Sequence, residues 1–267
     1  QKPELTDLSF ALAERYLQSQ QPDKAEAEYK RLIDEYGSEP TGLTAKAALA
    51  ALYMQQENVD TAKILIGEVL DENPKDSNAL LLKGRIALQD ENYSEAVTAF
   101  RSVLKDQPDS ARVYSLLATA HQANGETELA LENLSRAVEV QPDKVPERLR
   151  LAAGLAQRDD LDSALEHVGA ALAIEPTSVA ALRAQAELYA RQNNSEALEE
   201  TLSRLQEVSP ETGLGEFGRG RLYKSQNKFP EAVTAFEQAL AKDPESILVL
   251  TELVSAEIAG GNINNAI

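Results

Sequence analysis

Residues 213–218 read Gly-Leu-Gly-Glu-Phe-Gly. The spacing G-x-G-x-x-G is that of a dinucleotide loop, where glycines let backbone amides close on a pyrophosphate at a helix N-terminus. Such a loop needs a strand before it and an acidic ribose ligand at the end of the next strand. Here a helical pattern and Pro210 precede the glycines, and a second helical pattern follows. The local sequence therefore predicts a flexible turn between helical units, or a groove left open by missing side chains, and no nucleotide. Two histidines, His121 and His167, could act as general bases or metal ligands. They sit in different helical units, and no H-x-x-x-H or paired-carboxylate pattern accompanies either. With no cysteine there is no thiolate nucleophile, thiolate metal site or disulfide. No serine elbow or P-loop occurs. The expectation is a protein with no catalytic, cofactor-binding or metal-binding residues, and not an enzyme.

Charge points to a partner instead of a reaction. The 267 residues hold 44 Asp and Glu against 26 Lys and Arg, a net charge of −18. An acidic surface repels phosphate backbones and anionic lipid, so nucleic acid is not an expected partner. A basic peptide or protein face would complement it, and surplus acid also keeps a helical surface soluble. No apolar run is long enough to insert directly in a membrane. The chain is 43% hydrophobic but only 5% aromatic, and its alanine and leucine favour helices. Gln1 is not an initiator methionine, so the chain reads as a processed or excised piece of a longer one.

The elements that position these side chains recur on a fixed clock. Prolines fall at Pro74, Pro108, Pro142, Pro176, Pro210 and Pro244, each 34 residues after the last. Ala62, Ala96, Ala130, Ala164 and Ala232 keep the same period, as do the small residues Ala50, Gly84, Ala118, Ala152, Ala186 and Gly220. Within one period, Leu80, Leu81, Gly84, Ala87 and Leu88 share a helical face, and a second stripe runs through Tyr93, Ala96, Ala99, Phe100, Val103 and Leu104. The spacing predicts two amphipathic helices joined by a short turn. Small residues mark where the paired backbones approach closely, and the proline ends the second helix because it cannot continue the hydrogen-bond ladder. A lone pair leaves an apolar face uncovered, so pairs must stack.

A 34-residue helix–turn–helix with small residues at positions 8 and 20 and proline at 32 resembles the tetratricopeptide repeat family. The resemblance implies an all-α, right-handed α-solenoid. Residues 1–267 read as one array with units at about 6–42, 43–76, 77–110, 111–144, 145–178, 179–212 and 213–246 and a partial unit at 247–267 whose Ala266 would lie in a second helix. Position 4, often tryptophan in the family, never is one here, and Leu198 stands at position 20 where alanine is usual, so looser packing is expected in that turn.

In this family, first helices line a concave groove through positions 2, 5, 9 and 12. The resemblance thereby places Leu81, Arg85, Arg112, Gln122, Arg183, Phe217, Arg221 and Lys224 on a partner-binding groove. Asp7 and Glu14 make one mouth acidic, while the later positions are basic against the single acid Glu187. Arginines there could pair two-pronged with carboxylates, so an acidic segment in the C-terminal half of the groove is the expected guest. The family's clamp for heat-shock tails needs lysine and asparagine where this chain has Phe10 and Glu14, so that clamp is missing. The function implied is a non-catalytic scaffold for a protein or extended peptide. The alternative is a structural part of a bacterial envelope or exopolysaccharide secretion system, acting by self-association or by bridging subunits. Compartment stays open, with a lean to the bacterial periplasm and the cytoplasm as the alternative.

Overall fold

The computed structural model describes residues 3–261, with side chains from Thr6 onward. Ala266, expected in a second helix, lies outside the described residues. Among those residues the chain is all helical, with no strand. It forms two compact units, Gln1–Val140 and Gln141–Ile267. The first holds α1 (Pro3–Gln18), α2 (Pro22–Tyr36), α3 (Pro40–Gln55), α4 (Val59–Glu72), α5 (Ser77–Gln89), α6 (Tyr93–Asp106), α7 (Ala111–Ala123) and α8 (Thr127–Val140). The second holds α9 (Val145–Gln157), α10 (Leu161–Ile174), α11 (Val179–Arg191), α12 (Ser195–Val208), α13 (Leu214–Ser225), α14 (Phe229–Lys242) and α15 (Ile247–Ala259).

The second helices from α4 to α14 start at Val59, Tyr93, Thr127, Leu161, Ser195 and Phe229, again 34 residues apart. The turn before each is built the same way. Its sharp reversal places Glu57, Glu91, Gly125, Asp159, Asn193 and Asn227 at positive φ, between 56° and 77°. The amide that follows then donates back to a carbonyl five residues earlier, as from Asn58 to Tyr53 at 2.8 Å, Asn92 to Ala87 at 2.7 Å and Asn194 to Tyr189 at 2.9 Å. This closes the end of the first helix with the 6→1 bond of a Schellman motif. Asn92, Asp160 and Asn194 accept an amide from the first turn of the helix they precede, satisfying a donor that the helix itself leaves open.

Within each unit, every helix packs on the next, and alternate first helices also touch: α3 with α5, α5 with α7, α9 with α11, and α13 with α15. Ala62, Ala96, Ala164 and Ala232, at position 20, are fully buried. Gly84 and Gly220 show what position 8 does. A methyl carbon on Gly84 would lie 2.5 Å from Phe100 Cε1, and one on Gly220 would overlap the Phe236 ring. Phe100 and Phe236 are both wholly buried. Glycine therefore stands at position 8 in the two units from 43 to 246 that carry phenylalanine at position 24. The other four pair Ala50, Ala118, Ala152 and Ala186 with Ile66, Leu134, Val168 and Leu202.

Candidate binding site in the second unit

α13 breaks the rhythm. After Val145 and Val179 the period would start the helix at residue 213, but it starts at Leu214, and Gly213 caps it in the left-handed region at φ 70°. A Cβ on Gly213 would sit 2.9 Å from the Ala239 carbonyl oxygen of α14. Gly215 and Gly218 lie inside α13. A Cβ on Gly215 would come 2.9 Å from Gln206 Cβ and 3.0 Å from the Leu202 carbonyl oxygen, and one on Gly218 would overlap the Leu202 side chain. The G-x-G-x-x-G spacing is thus a packing device that lays α13 tightly on α12 and α14, with one glycine in the turn and two in the helix.

Polar groups complete that joint. Glu216 is buried, and its Oε1 accepts from Gln206 Nε2 and from Lys242 Nζ, each at 2.6 Å. Arg219 donates to Glu199 Oε1 at 2.7 Å, to Ser203 Oγ at 3.0 Å and to Gln206 Oε1. A buried carboxylate is tolerated only when paired and hydrogen-bonded, which this network supplies. Sequence reasoning missed it. The available signal was an acid at position 4, the position at which Leu182 is completely buried one repeat earlier.

α11 and α13 stand further apart than α9 from α11 or α13 from α15. A cavity of about 690 Å³ opens between them and reaches the start of α15. Leu198, Leu202 and Leu205 of α12 contribute apolar surface, with Tyr189 of α11, Phe217 and Leu222 of α13, and Leu248 and Val249 of α15. Phe217 is fixed by a tilted contact with Phe236, ring centres 5.9 Å apart. The charged groups on the wall are Arg183, Glu187, Arg221 and Asp243. Arg183 and Arg221 are exposed and, among the described residues, form neither an ion pair nor a side-chain hydrogen bond. Leu198, the sequence's departure at position 20, falls on this wall.

Of the eight expected groove residues, the cavity brings together Arg183, Phe217 and Arg221. Lys224 follows on α13 but turns to α15, where its Nζ lies 2.8 Å from both Glu252 Oε2 and Ser255 Oγ. With Lys224 engaged elsewhere and Asp243 present, the wall carries two guanidinium groups and two carboxylates. Leu81 and Arg85 lie on α5, and Arg112 and Gln122 on α7, all in the first unit. Arg85, Arg112 and Gln122 are exposed and Leu81 is half-buried.

The histidines sit elsewhere. His121 is buried on α7, its Nδ1 2.6 Å from Glu126 Oε2. That hydrogen bond, and a second from Asn124, hold the Glu126 carboxyl below its ordinary range. His167 on α10 is half-buried, and desolvation, followed by the nearby Arg148, pushes its imidazole below 6.5 while Glu166 opposes them. No group of three or more His, Asp or Glu among the described residues is placed to hold a metal ion. No described helix is long and apolar enough to cross a membrane.

Models described as tetratricopeptide repeat match residues 10–62, 48–111, 87–155 and 215–246, together more than half of the chain. The chain belongs to the tetratricopeptide repeat family. Tetratricopeptide arrays in general are protein-interaction scaffolds without catalysis. Solved relatives share the fold at low identity. The C-terminal part of a tetratricopeptide protein from Cytophaga hutchinsonii superposes with a TM-score of 0.74 at 14% identity, covering 91% of this chain and 99% of that one. PilF of Pseudomonas aeruginosa gives 0.66 at 17% identity, over 78% of this chain and 93% of its own. YrrB, described as a tetratricopeptide protein with an unusual peptide-binding site, gives 0.60 at 22% identity, over 70% and 95%. Among curated proteins, cellulose synthase operon protein C of Komagataeibacter xylinus is 29% identical over 130 residues, which is 49% of this tetratricopeptide chain and 10% of that relative. The chain thus matches about a tenth of the length of the curated relative.

Proposed function

We propose that this array is a non-catalytic scaffold that holds an extended peptide or a segment of another protein on the first-helix face of its second unit. The cavity between α11 and α13 receives an apolar side chain of the guest, and Arg183 and Arg221 pair with its carboxylates. The observation that carries this reading is the placement of two exposed, unpartnered guanidinium groups beside an apolar recess. Guanidinium groups so placed offer planar, two-pronged donors at little cost in desolvation. Glu187 and Asp243, which also line the cavity, favour a guest that also bears a basic residue, which narrows the choice among acidic peptides. The test is anisotropy of labelled acidic peptides with one central leucine or phenylalanine, against the wild type and the Arg183→Glu, Arg221→Glu double variant. Loss of binding with unchanged helicity is expected. Equal binding by both proteins overturns the reading.

A second reading rests on the kinship with cellulose synthase operon protein C: a part of a bacterial exopolysaccharide export assembly that bridges other subunits in the envelope. Release of the native protein with the periplasmic fraction on osmotic shock would support it, and recovery only with cytoplasmic markers would exclude it.

A further inference from the structure

The polar joint between α12 and α13 stands where the neighbouring joints of the second unit are apolar. Where α10 meets α11, Leu165, Leu172 and Leu182 belong to one apolar core. Glu199, Gln206 and Glu216 stand at the same places one repeat later. Where α14 meets α15, Val233, Leu240 and Leu253 again belong to one apolar core. They stand one repeat after Glu199, Gln206 and Arg219. Within this unit the exchange of leucine for polar groups therefore falls at one joint, and that joint is the one beside which neighbouring first helices, α11 and α13, leave the cavity.

Apolar packing has no preferred direction, so a leucine joint tolerates a helix that rolls or slides. Hydrogen bonds fix both. Arg219 spreads its guanidinium over Glu199, Ser203 and Gln206, which follow one face of α12. Glu216 ties α13 to α12 through Gln206 and to α14 through Lys242. Moving Glu216 off these partners would leave a buried, unpaired carboxylate. α13 is thus held at two points on one side. Successive residues turn by about 100° around a helix, so Phe217 lies about 100° from Glu216 and Arg221 about 40° from Phe217. Fixing the roll of α13 through Glu216 and Arg219 therefore aims Phe217 and Arg221 together at the cavity. We propose that Gln206, Glu216 and Arg219 are positioning residues for this site: they hold α13 off α11 and keep the cavity open before a guest arrives. The proposal rests on the cavity being the binding site and states what keeps it ready.

The chain has no cysteine, so Ala190→Cys on α11 and Ser225→Cys on α13, both exposed at the cavity, can be labelled cleanly with nitroxides. Dipolar electron paramagnetic resonance then reads their separation. It is compared with that in a swap variant that carries the residues of the preceding joint: Glu199→Leu, Gln206→Leu, Glu216→Leu and Arg219→Gln. Unlabelled proteins are titrated with the acidic peptides that contain one leucine or phenylalanine. The swap is expected to keep its helicity and thermal midpoint, because apolar residues can replace a buried ionic joint without loss of stability. The labels are expected to draw together, toward the spacing of helices in direct contact, whose axes lie about 8–10 Å apart. Peptide affinity is expected to fall about tenfold or more, as it does when the competent state holds about a tenth of the population. A folded swap variant with unchanged separation overturns the proposal, as does a shortened separation with unchanged affinity. If the full swap does not fold, Gln206→Leu with Glu216→Leu, which leaves Arg219 on Glu199, is measured in the same way. Failure of that double variant to fold also overturns the proposal, since the joint would then serve folding alone. A wild type that binds no peptide sinks the peptide reading, and the label separation still decides what the joint does.

Discussion

Placing a methyl group on Gly84 tests the pairing of positions 8 and 24 directly. The new carbon would lie 2.5 Å from Phe100 Cε1 and 2.8 Å from Cδ1 and Cζ. Carbon atoms normally rest about 3.5–4.0 Å apart, so the ring must retreat by roughly 1 Å, and it has no space to do so because it is wholly buried. Overpacking of this kind costs about 1–3 kcal/mol. Replacing a helical glycine by alanine returns roughly 1 kcal/mol of backbone entropy, so Gly84→Ala alone should destabilise by up to about 2 kcal/mol. Phe100→Leu alone leaves a void where the ring edge was and should cost on the order of 1–3 kcal/mol. The double variant has the alanine–leucine combination of Ala118 with Leu134 and of Ala186 with Leu202. The methyl then fills part of the void that the ring vacates. The double variant should therefore be more stable than the sum of the singles by on the order of 1–3 kcal/mol. Urea unfolding of the four proteins, followed by circular dichroism, completes the cycle. Additivity within about 0.5 kcal/mol would refute the size-matching argument.

The repeated turn predicts a gain. Glu91 occupies the left-handed region at φ 58°, which costs a side-chain-bearing residue about 1 kcal/mol, so Glu91→Gly should raise the thermal midpoint by a few degrees in calorimetry. Acid sensitivity is the other expectation. Burial and Arg148 make the folded chain bind the His167 proton more weakly than the unfolded chain does. The unfolded state then gains protons first as pH falls through 6.5, and stability declines below that value. His167→Gln should show a smaller drop in midpoint between pH 7 and pH 5, and an undiminished drop would remove His167 as a cause.

The fold was legible in sequence to the level of individual helices because one repeat explains the next. The prolines mark where each second helix stops, and the small residues mark which faces meet. Turn geometry was hidden because the left-handed position is filled by glutamate, glycine, aspartate or asparagine, with no shared residue type to reveal it. The cavity was half legible. The family register placed Arg183, Phe217 and Arg221 on first helices, and all three line the cavity, Arg183 from α11 and the other two from α13. It did not foresee that Lys224 would be taken up by Glu252 and Ser255, because ion pairs between neighbouring repeats depend on side-chain reach that periodicity does not encode. The glycines at 213, 215 and 218 were expected in a flexible turn or an open groove, yet Gly215 and Gly218 lie inside α13, because close helix contact, like phosphate binding, requires the absence of a Cβ.

The matched glycine and phenylalanine lie within sixteen positions of each other, inside one repeat. A genetic duplication or loss of thirty-four codons whose edges fall in the proline-marked linkers carries both partners together, and the array can lengthen or shorten without a misfit. An exchange whose breakpoint falls between codons 84 and 100 separates them. Joining an alanine-bearing first half to a phenylalanine-bearing second half produces a hybrid repeat with a built-in clash. Recombination between repeats of this gene should therefore leave viable descendants mainly when it cuts at the prolines, a pattern that a library of shuffled repeats can display.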